Sequence, residues 1–402
     1  MFEKVEWKSK IAYYSFYLAV IIEVLIVVID KSSYTNPIEG RLFQLTFLLC
    51  FVKVCLTKYE VKEYITIFLF CTIGALSYFI TGRNEILRLV MLVAACKNVD
   101  MKKCLKLVFW MTIVGCLVIV GLAVAGVYGT IALTQDYGRG SVETRYVLGM
   151  GHPNALQCMA WALTTLGLYL YAEKMKWYFF ILIIAINGSL FLITDSKTGL
   201  FVAGFTIVMF VFVRIFKGKW VGHLIFFGGM IATISSIAMS IFAAKDAGLL
   251  YRFRWEWYWN PKVEFYRKLD AILTGRINSL TGTTRWEGTT KTWSLFSEPA
   301  NNYYFDMGWV RLFYWYGIIP ACIFIVVLIL LMIYTWRKEK IEALIMIISF
   351  SVYTLIEAHG ISEYLARNYV FFLLGAYWSP MLADFIGIFK RKDKKIAERI
   401  EA

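Results

Sequence analysis

Long apolar stretches separated by short polar turns dominate the chain, and a helix needs about 20 apolar residues to cross a hydrocarbon core of roughly 30 Å. Twelve segments meet or approach that length, at 11–29, 42–57, 64–81, 86–97, 106–126, 147–171, 178–194, 199–216, 221–243, 309–335, 342–357 and 368–388. The second carries Lys53 and the fourth is short and carries Arg88, so the expectation is 10–12 transmembrane helices. One long polar interruption, residues 244–308, separates the ninth and tenth segments, and within it 268–288 predicts a short helix followed by Arg276. The predicted fold class is therefore an all-α polytopic membrane protein: a single integral membrane domain over 1–402, with one large, partly helical loop at 244–308 and a basic tail at 389–402.

Composition agrees with that pattern. Of 402 residues 59% are hydrophobic and 17% aromatic, and the mean hydropathy is +0.63, far above what a soluble core conceals. A formal net charge of +14 would suggest nucleic acid as partner in a soluble protein. Here the placement of the charges points to the lipid bilayer instead, with no nucleic acid. Short loops rich in Lys and Arg stay cytoplasmic. With the N-terminus inside, the inner segments hold 22 such residues, among them Lys102, Lys103, Lys174 and Lys176, against seven in the short outer loops. Both termini are then cytoplasmic, the loop 244–308 is extracytoplasmic, and the basic tail lies near anionic headgroups. The first apolar run lacks a small-residue cleavage site and reads as a retained span. Eight cysteines lie within or beside apolar stretches and none in the long loop, which excludes a disulfide framework and any CxxC metal site.

Ionisable groups at the edge of spans are costly and usually face a cavity or a partner. On the predicted outer side they gather at five places. Residues 138–157 contain Arg139, Arg145 and then His152-Pro153-Asn154 at the start of a span, where Pro153 suits a first helical turn. Residues 194–199 place Asp195 and Lys197 in a tight hairpin. The long loop carries an aromatic run with interleaved charges at 251–261, suited to sugar faces or to the headgroup region, and then Arg276, whose guanidinium can clamp an anionic oxygen. Residues 297–320 bring Asp306 to a span entry, and 355–368 hold Glu357, His359, Glu363, Arg367 and Asn368. No HExxH or similar pattern occurs, so no metal and no cofactor are expected. Cations, candidate bases and aromatics on one side of a membrane suit an anionic, lipid-linked substrate carrying sugars.

These residues resemble the Wzy-type polysaccharide repeat-unit polymerases, relatives of the O-antigen ligases, over nearly the whole chain. Gly151-His152-Pro153-Asn154 is similar to the GHPN of capsule polymerases, and Ser196-Lys197-Thr198-Gly199 to an S-R-x-G turn with Lys in place of Arg. Thr274-Gly275-Arg276 resembles an S-G-R motif, Asp306 with Gly317 a D-N-x-Y…G segment in which Met307 replaces Asn, and Glu357 with Asn368 a closing E…N pair. The R-x10-G loop pattern of some Gram-negative polymerases is absent.

The resemblance implies a metal-independent, GT-C-like glycosyltransferase of the bacterial plasma membrane. It would transfer a growing glycan from undecaprenyl pyrophosphate to the non-reducing end of another lipid-linked repeat unit, with a flippase and a chain-length regulator as partners. Asp306 would be the catalytic base, with His152 as the alternative. Arg276, Lys197, Arg139, Arg145, Asn154, Glu357 and Asn368 would bind substrate and pyrophosphate. A ligase that transfers finished polysaccharide, and a transporter of lipid-linked sugars, are the competing expectations.

Overall fold

The computed structural model describes residues 2–136, 142–252, 261–281 and 287–400. Among these the helices follow the apolar segments closely: α1 (Phe2–Lys31), α2 (Glu39–Leu56), α3 (Val61–Thr81), α4 (Glu85–Ala95), α5 (Met101–Val124), α6 (Pro153–Tyr171), α7 (Trp177–Thr194), α8 (Lys197–Ile215) and α9 (Lys219–Arg252). After the long loop, which contributes α10 (Pro261–Ile272) and α11 (Arg276–Ser279), come α12 (Gly308–Tyr316), α13 (Ile318–Arg337), α14 (Ile341–Tyr353) and α15 (Tyr369–Ile400).

Seven helices are long and apolar enough to cross a membrane: α1 from Trp7, α3, α5, α7, α8, α9 to Leu250, and α13. Their outward faces carry Phe79 at 83% exposure and Leu192 at 81%, a surface that only lipid solvates without penalty. The chain is thus a helical, multi-pass membrane protein. The loops that carry the long insertion gather at one end of the bundle, here termed the loop face.

α14 forms the centre. It packs against α6, α8, α9, α13 and α15 and is buried without a break from Ala343 to Ser351, as expected of a helix apolar all round. Trp161 of α6 lies against Phe350 and Tyr353, and its indole donates to Ser349 Oγ at 3.1 Å. One buried charge pair joins three of the helices. Arg88 donates to Glu23 at 3.1 Å and lies over the Phe43 ring, while Thr46 donates to the same Glu23 oxygen at 2.7 Å. That triad ties α1, α2 and α4 and explains how the fourth apolar segment accommodates its arginine.

Four boundaries differ from the hydrophobic pattern. The segment ahead of α6 is not helical: an antiparallel hairpin of β1 (Ala132–Asp136) and β2 (Val142–Tyr146) precedes it, and α6 starts at Pro153 rather than 147. α9 continues past 243 to Arg252, so the long loop begins later than its polarity suggested. The basic tail is a helical extension of α15 as far as Ile400. Finally, the apolar run 309–335 is broken at Gly317, whose φ of 93° is left-handed. A side chain there would place Cβ 2.6 Å from Phe296 Cα and 2.7 Å from the Leu295 carbonyl oxygen. The run therefore becomes two elements, a buried short helix, α12, and the long α13, whose Pro320 sits in its first turn where a missing N–H does no harm.

Candidate functional site

The long loop returns to the bundle through a compact turn. Asp270 near the end of α10 accepts the amides of Ile277 at 2.7 Å and Asn278 at 3.0 Å, capping α11. The chain reverses through Thr274 and Gly275, both at positive φ, and delivers Arg276 to the interior, where its side chain is 6% exposed.

Five acceptors surround that guanidinium. Nη1 donates to the carbonyl of Leu273 at 3.1 Å and to the Thr274 hydroxyl, and Nε to the carbonyl of Ile356. Nη2 donates to Glu357 Oε1 at 2.5 Å, and Nε stands 3.8 Å from Asp306 Oδ2. Glu357 lies beyond the end of α14, in the segment that crosses the loop face toward α15. Asp306 reaches it because α12 starts on a glycine. A Cβ at Gly308 would stand 2.8 Å from Thr354 Cγ2 and 2.9 Å from the Thr354 carbonyl oxygen, so only a bare backbone lets these segments approach.

Burial, reinforced by the neighbouring Asp306 carboxylate, pushes the Glu357 carboxyl up to about 7, against the opposing pull of Arg276. The Asp306 side chain remains 41% exposed and Glu357 only 14%. One carboxyl is therefore open to an incoming molecule and the other is enclosed behind it.

His152 caps α6: its Nδ1 accepts the Asn154 amide at 3.2 Å. The surrounding protein, by partial desolvation, holds its pKa below the ordinary range, with Arg145, Lys31 and Arg276 acting in the same direction and Asp306 against them. His152, Asp306 and Arg276 thus belong to one electrostatic neighbourhood. Lys31, the last residue of α1, joins it and also acts on Glu357. Lys31 is one of the seven cations of the short outer loops and is not among the expected site residues, although an ionisable residue at the end of an apolar span is the signal for it.

Other expected residues have different surroundings. Arg145 is buried on β2 and donates through Nε and Nη2 to Glu143 Oε2 at 3.1 and 2.6 Å, and its Nη2 is 3.4 Å from Asp195 Oδ2. Its charge is met by two carboxylates, so it fastens the hairpin to the α7–α8 turn. Lys197 is exposed at the start of α8 on that same turn, and among the described residues it makes no ion pair. Asn154 is half-buried in the first turn of α6. Asn368 is buried with both ends of its amide engaged: Nδ2 donates to the Gly360 carbonyl and Oδ1 accepts the Val370 amide. It caps α15 and holds the 354–368 segment. His359 turns into the core, with Nδ1 3.0 Å from Cys158 Sγ, and burial keeps it neutral. Arg139 and most of the aromatic run, 253–260, lie outside the described residues.

No family model, curated protein or solved structure matches the chain. The resemblance to Wzy-type polymerases therefore stands on its motifs alone, and the arrangement of Arg276, Asp306, Glu357 and His152 is the physical basis on which function is argued.

Proposed function

We propose that the chain is a polysaccharide polymerase of the Wzy type, joining undecaprenyl pyrophosphate-linked repeat units at the extracytoplasmic face of a bacterial plasma membrane. The observation that carries this reading is the Arg276–Glu357–Asp306 cluster, a guanidinium between two carboxyls at the loop face of a membrane bundle. In this reading the chain crosses the membrane 10–12 times, both termini are cytoplasmic, and the loop face is the outer one.

The chemistry is a single displacement. An acceptor hydroxyl attacks the anomeric carbon of the donor glycan, the new C–O bond forms as the bond to pyrophosphate breaks, and the hydroxyl proton passes to a carboxylate. Asp306, being open, meets the hydroxyl. Glu357, held near neutrality behind it, shares the proton, so the two carboxyls act as a pair. Arg276 then faces the developing charge of the leaving pyrophosphate, with Lys31 and Lys197 as further cations on the same face. Preorganised donors of this kind lower a barrier by stabilising charge as it forms. His152, in the same electrostatic neighbourhood, orients the acceptor.

The test is reconstitution. Purified protein given only lipid-linked repeat units is expected to produce a ladder of longer lipid-linked glycans, and Arg276→Ala at equal protein level to produce none. A single addition to a different acceptor would indicate a ligase instead. Movement of the lipid across the bilayer without any ladder would indicate a transporter.

A further inference from the structure

A second feature of the bundle lies beside this cluster. Between α3 and α4 on one side, α12 and α13 on another and α15 behind them runs a groove with a volume of about 420 Å³. Along α13 it is lined by Pro320, Ile323, Val327, Leu330, Tyr334 and Arg337, a stripe at helical spacing. That stripe extends for roughly 26 Å at 1.5 Å per residue, close to the ~30 Å depth of a hydrocarbon core. Leu89 of α4 and Phe70 of α3 complete the apolar wall. The shape suits one long hydrocarbon chain lying across the membrane.

The loop-face end is polar in a specific way. Glu85, Tyr316 and Ser362 line it. Glu85 is 8% exposed, and its Oε2 has no hydrogen-bond partner. Arg311, fully buried and adjacent to the groove-lining Leu312, lies over Tyr304 and Trp315 and donates Nη1 to the Ile361 carbonyl at 3.0 Å, while its Nε and Nη2 have no partner. Buried polar atoms left without partners are costly. A buried carboxylate oxygen and a buried guanidinium, each with unpartnered atoms at this end of the groove, suit a head group combining sugar hydroxyls and phosphate.

We infer that this groove holds the hydrocarbon tail of the acceptor, the lipid-linked saccharide whose hydroxyl attacks, at a position separate from the donor lipid whose pyrophosphate leaves at Arg276. The inference rests on the polymerase reading, and geometry separates the two lipids. In the donor, the reacting carbon is bonded to the pyrophosphate and so lies next to its own tail, which must enter beside Arg276. In the acceptor, the reacting hydroxyl is at the opposite end of the saccharide from the tail. Its tail therefore needs a groove displaced from the base by the length of that saccharide. Helix α12 supplies the displacement: Asp306 lies just before its first residue, and Tyr316 at its other end lines the groove. Nine residues of helix correspond to roughly 13 Å.

Photo-cross-linking tests this. The full chain in phosphatidylcholine nanodiscs is irradiated with a polyprenyl pyrophosphate disaccharide carrying a diazirine in its tail, and labelled peptides are read by mass spectrometry. Label is expected on the groove faces of α4 and α13. Val327→Trp, which fills the groove, and Glu85→Ala, which removes the carboxylate, should each lower it by roughly tenfold with unchanged thermal unfolding. Arg276→Lys should leave the groove label intact. Label lost in Arg276→Lys as completely as in Val327→Trp would show that the groove serves the donor and overturn the assignment. Equal labelling by a diazirine phosphatidylglycerol would make the groove a phospholipid site and overturn it as well. A ladder formed by a protein whose groove takes no label defeats the groove and leaves the polymerase reading; label in a protein that forms no ladder defeats the polymerase reading and leaves a saccharide-lipid site.

Discussion

Arg276 donates to Glu357 at 2.5 Å across a sequence separation of 81 residues, and the same guanidinium holds its Nε 3.8 Å from Asp306. One cation thus stands between an enclosed carboxyl and an open one. If its work is bidentate recognition of phosphate oxygens, a point charge will not replace it. Arg276→Lys is expected to keep the fold and to lower the rate of polymer formation by about 10²-fold or more, in the range seen when a preorganised charge donor is removed. The measurement is the initial rate of ladder formation by purified protein, with thermal unfolding as control. A rate within a factor of about three of the unmodified chain, less than 1 kcal/mol of transition-state stabilisation, would remove Arg276 from the mechanism.

The position of Glu357 gives a pH dependence with a definite sign. Its carboxyl is raised from the ordinary 4.5 to about 7, so the folded chain keeps a proton that the unfolded chain has released. Stability from this group is present at low pH and declines as pH climbs from 4.5 toward about 7. Activity runs the other way, because only the ionised carboxylate accepts a proton. The turnover rate should rise between about pH 6 and 8, and Glu357→Gln should flatten both that rise and the fall in unfolding temperature. An unchanged pH–rate profile in the variant would exclude the carboxyl pair as base.

Arg145 also lies between two carboxylates, but its partners Glu143 and Asp195 tie it to the hairpin and the α7–α8 turn rather than to Asp306 and Glu357. Removing it should therefore act through the hairpin rather than through substrate charge. Asp195→Asn is expected to release β2 and to raise the KM for lipid-linked substrate several-fold, the result of roughly 1 kcal/mol, with kcat nearly preserved. A loss confined to kcat would instead give Arg145 a direct role at the reacting atoms.

Much of the bundle was legible because a helix that crosses lipid must be both long and apolar, and that constraint is written in residue order. Arg276, Asp306, Glu357 and His152 were also visible, as ionisable groups where lipid tolerates few. Their pairing was not visible, since it depends on a loop that folds back over the bundle through the Asp270 cap. Glu357 was expected to bind substrate. Its enclosure behind Asp306, the source of its raised pKa, follows from the approach of Gly308 to Thr354. The break at Gly317 was hidden because apolar residues continue on both sides, and hydrophobic pattern carries no information about the sign of φ. Lys31 was counted only as a loop charge, because its proximity to His152 depends on the pairing of Ser32 with Met150. The groove along α13 was equally hidden, since lipid-facing and groove-facing apolar residues look alike in sequence.

The break at Gly317 is itself testable. A Cβ there meets backbone atoms of Leu295 and Phe296, which cannot move aside like the end of a flexible side chain, and the residue must hold a φ of 93°. Gly317→Ala is expected to destabilise the chain by about 1–3 kcal/mol from the backbone conformation alone, with the clash added. The unfolding temperature in detergent should fall accordingly. Gly40, where a Cβ meets nothing within 4 Å, is the control. Equal unfolding temperatures for Gly317→Ala and Gly40→Ala would mean that α12 and α13 do not join in this geometry.

Orientation is the remaining consequence of the proposed function, and it assigns the two ends of the bundle to opposite compartments. Lys291 is exposed in the loop between α11 and α12, on the face that carries Arg276. Lys338, paired with Asp384 at 2.7 Å, is exposed just after α13, at the other end of that helix. In a variant lacking the eight native cysteines, none of which forms a disulfide, a membrane-impermeant maleimide applied to intact cells should label Lys291→Cys. Lys338→Cys should react only after the membrane is opened. The reverse pattern would turn the Arg276 cluster toward the cytoplasm, where the extracytoplasmic assembly of lipid-linked repeat units could not occur, and the proposed function would fall even with every side-chain contact in place.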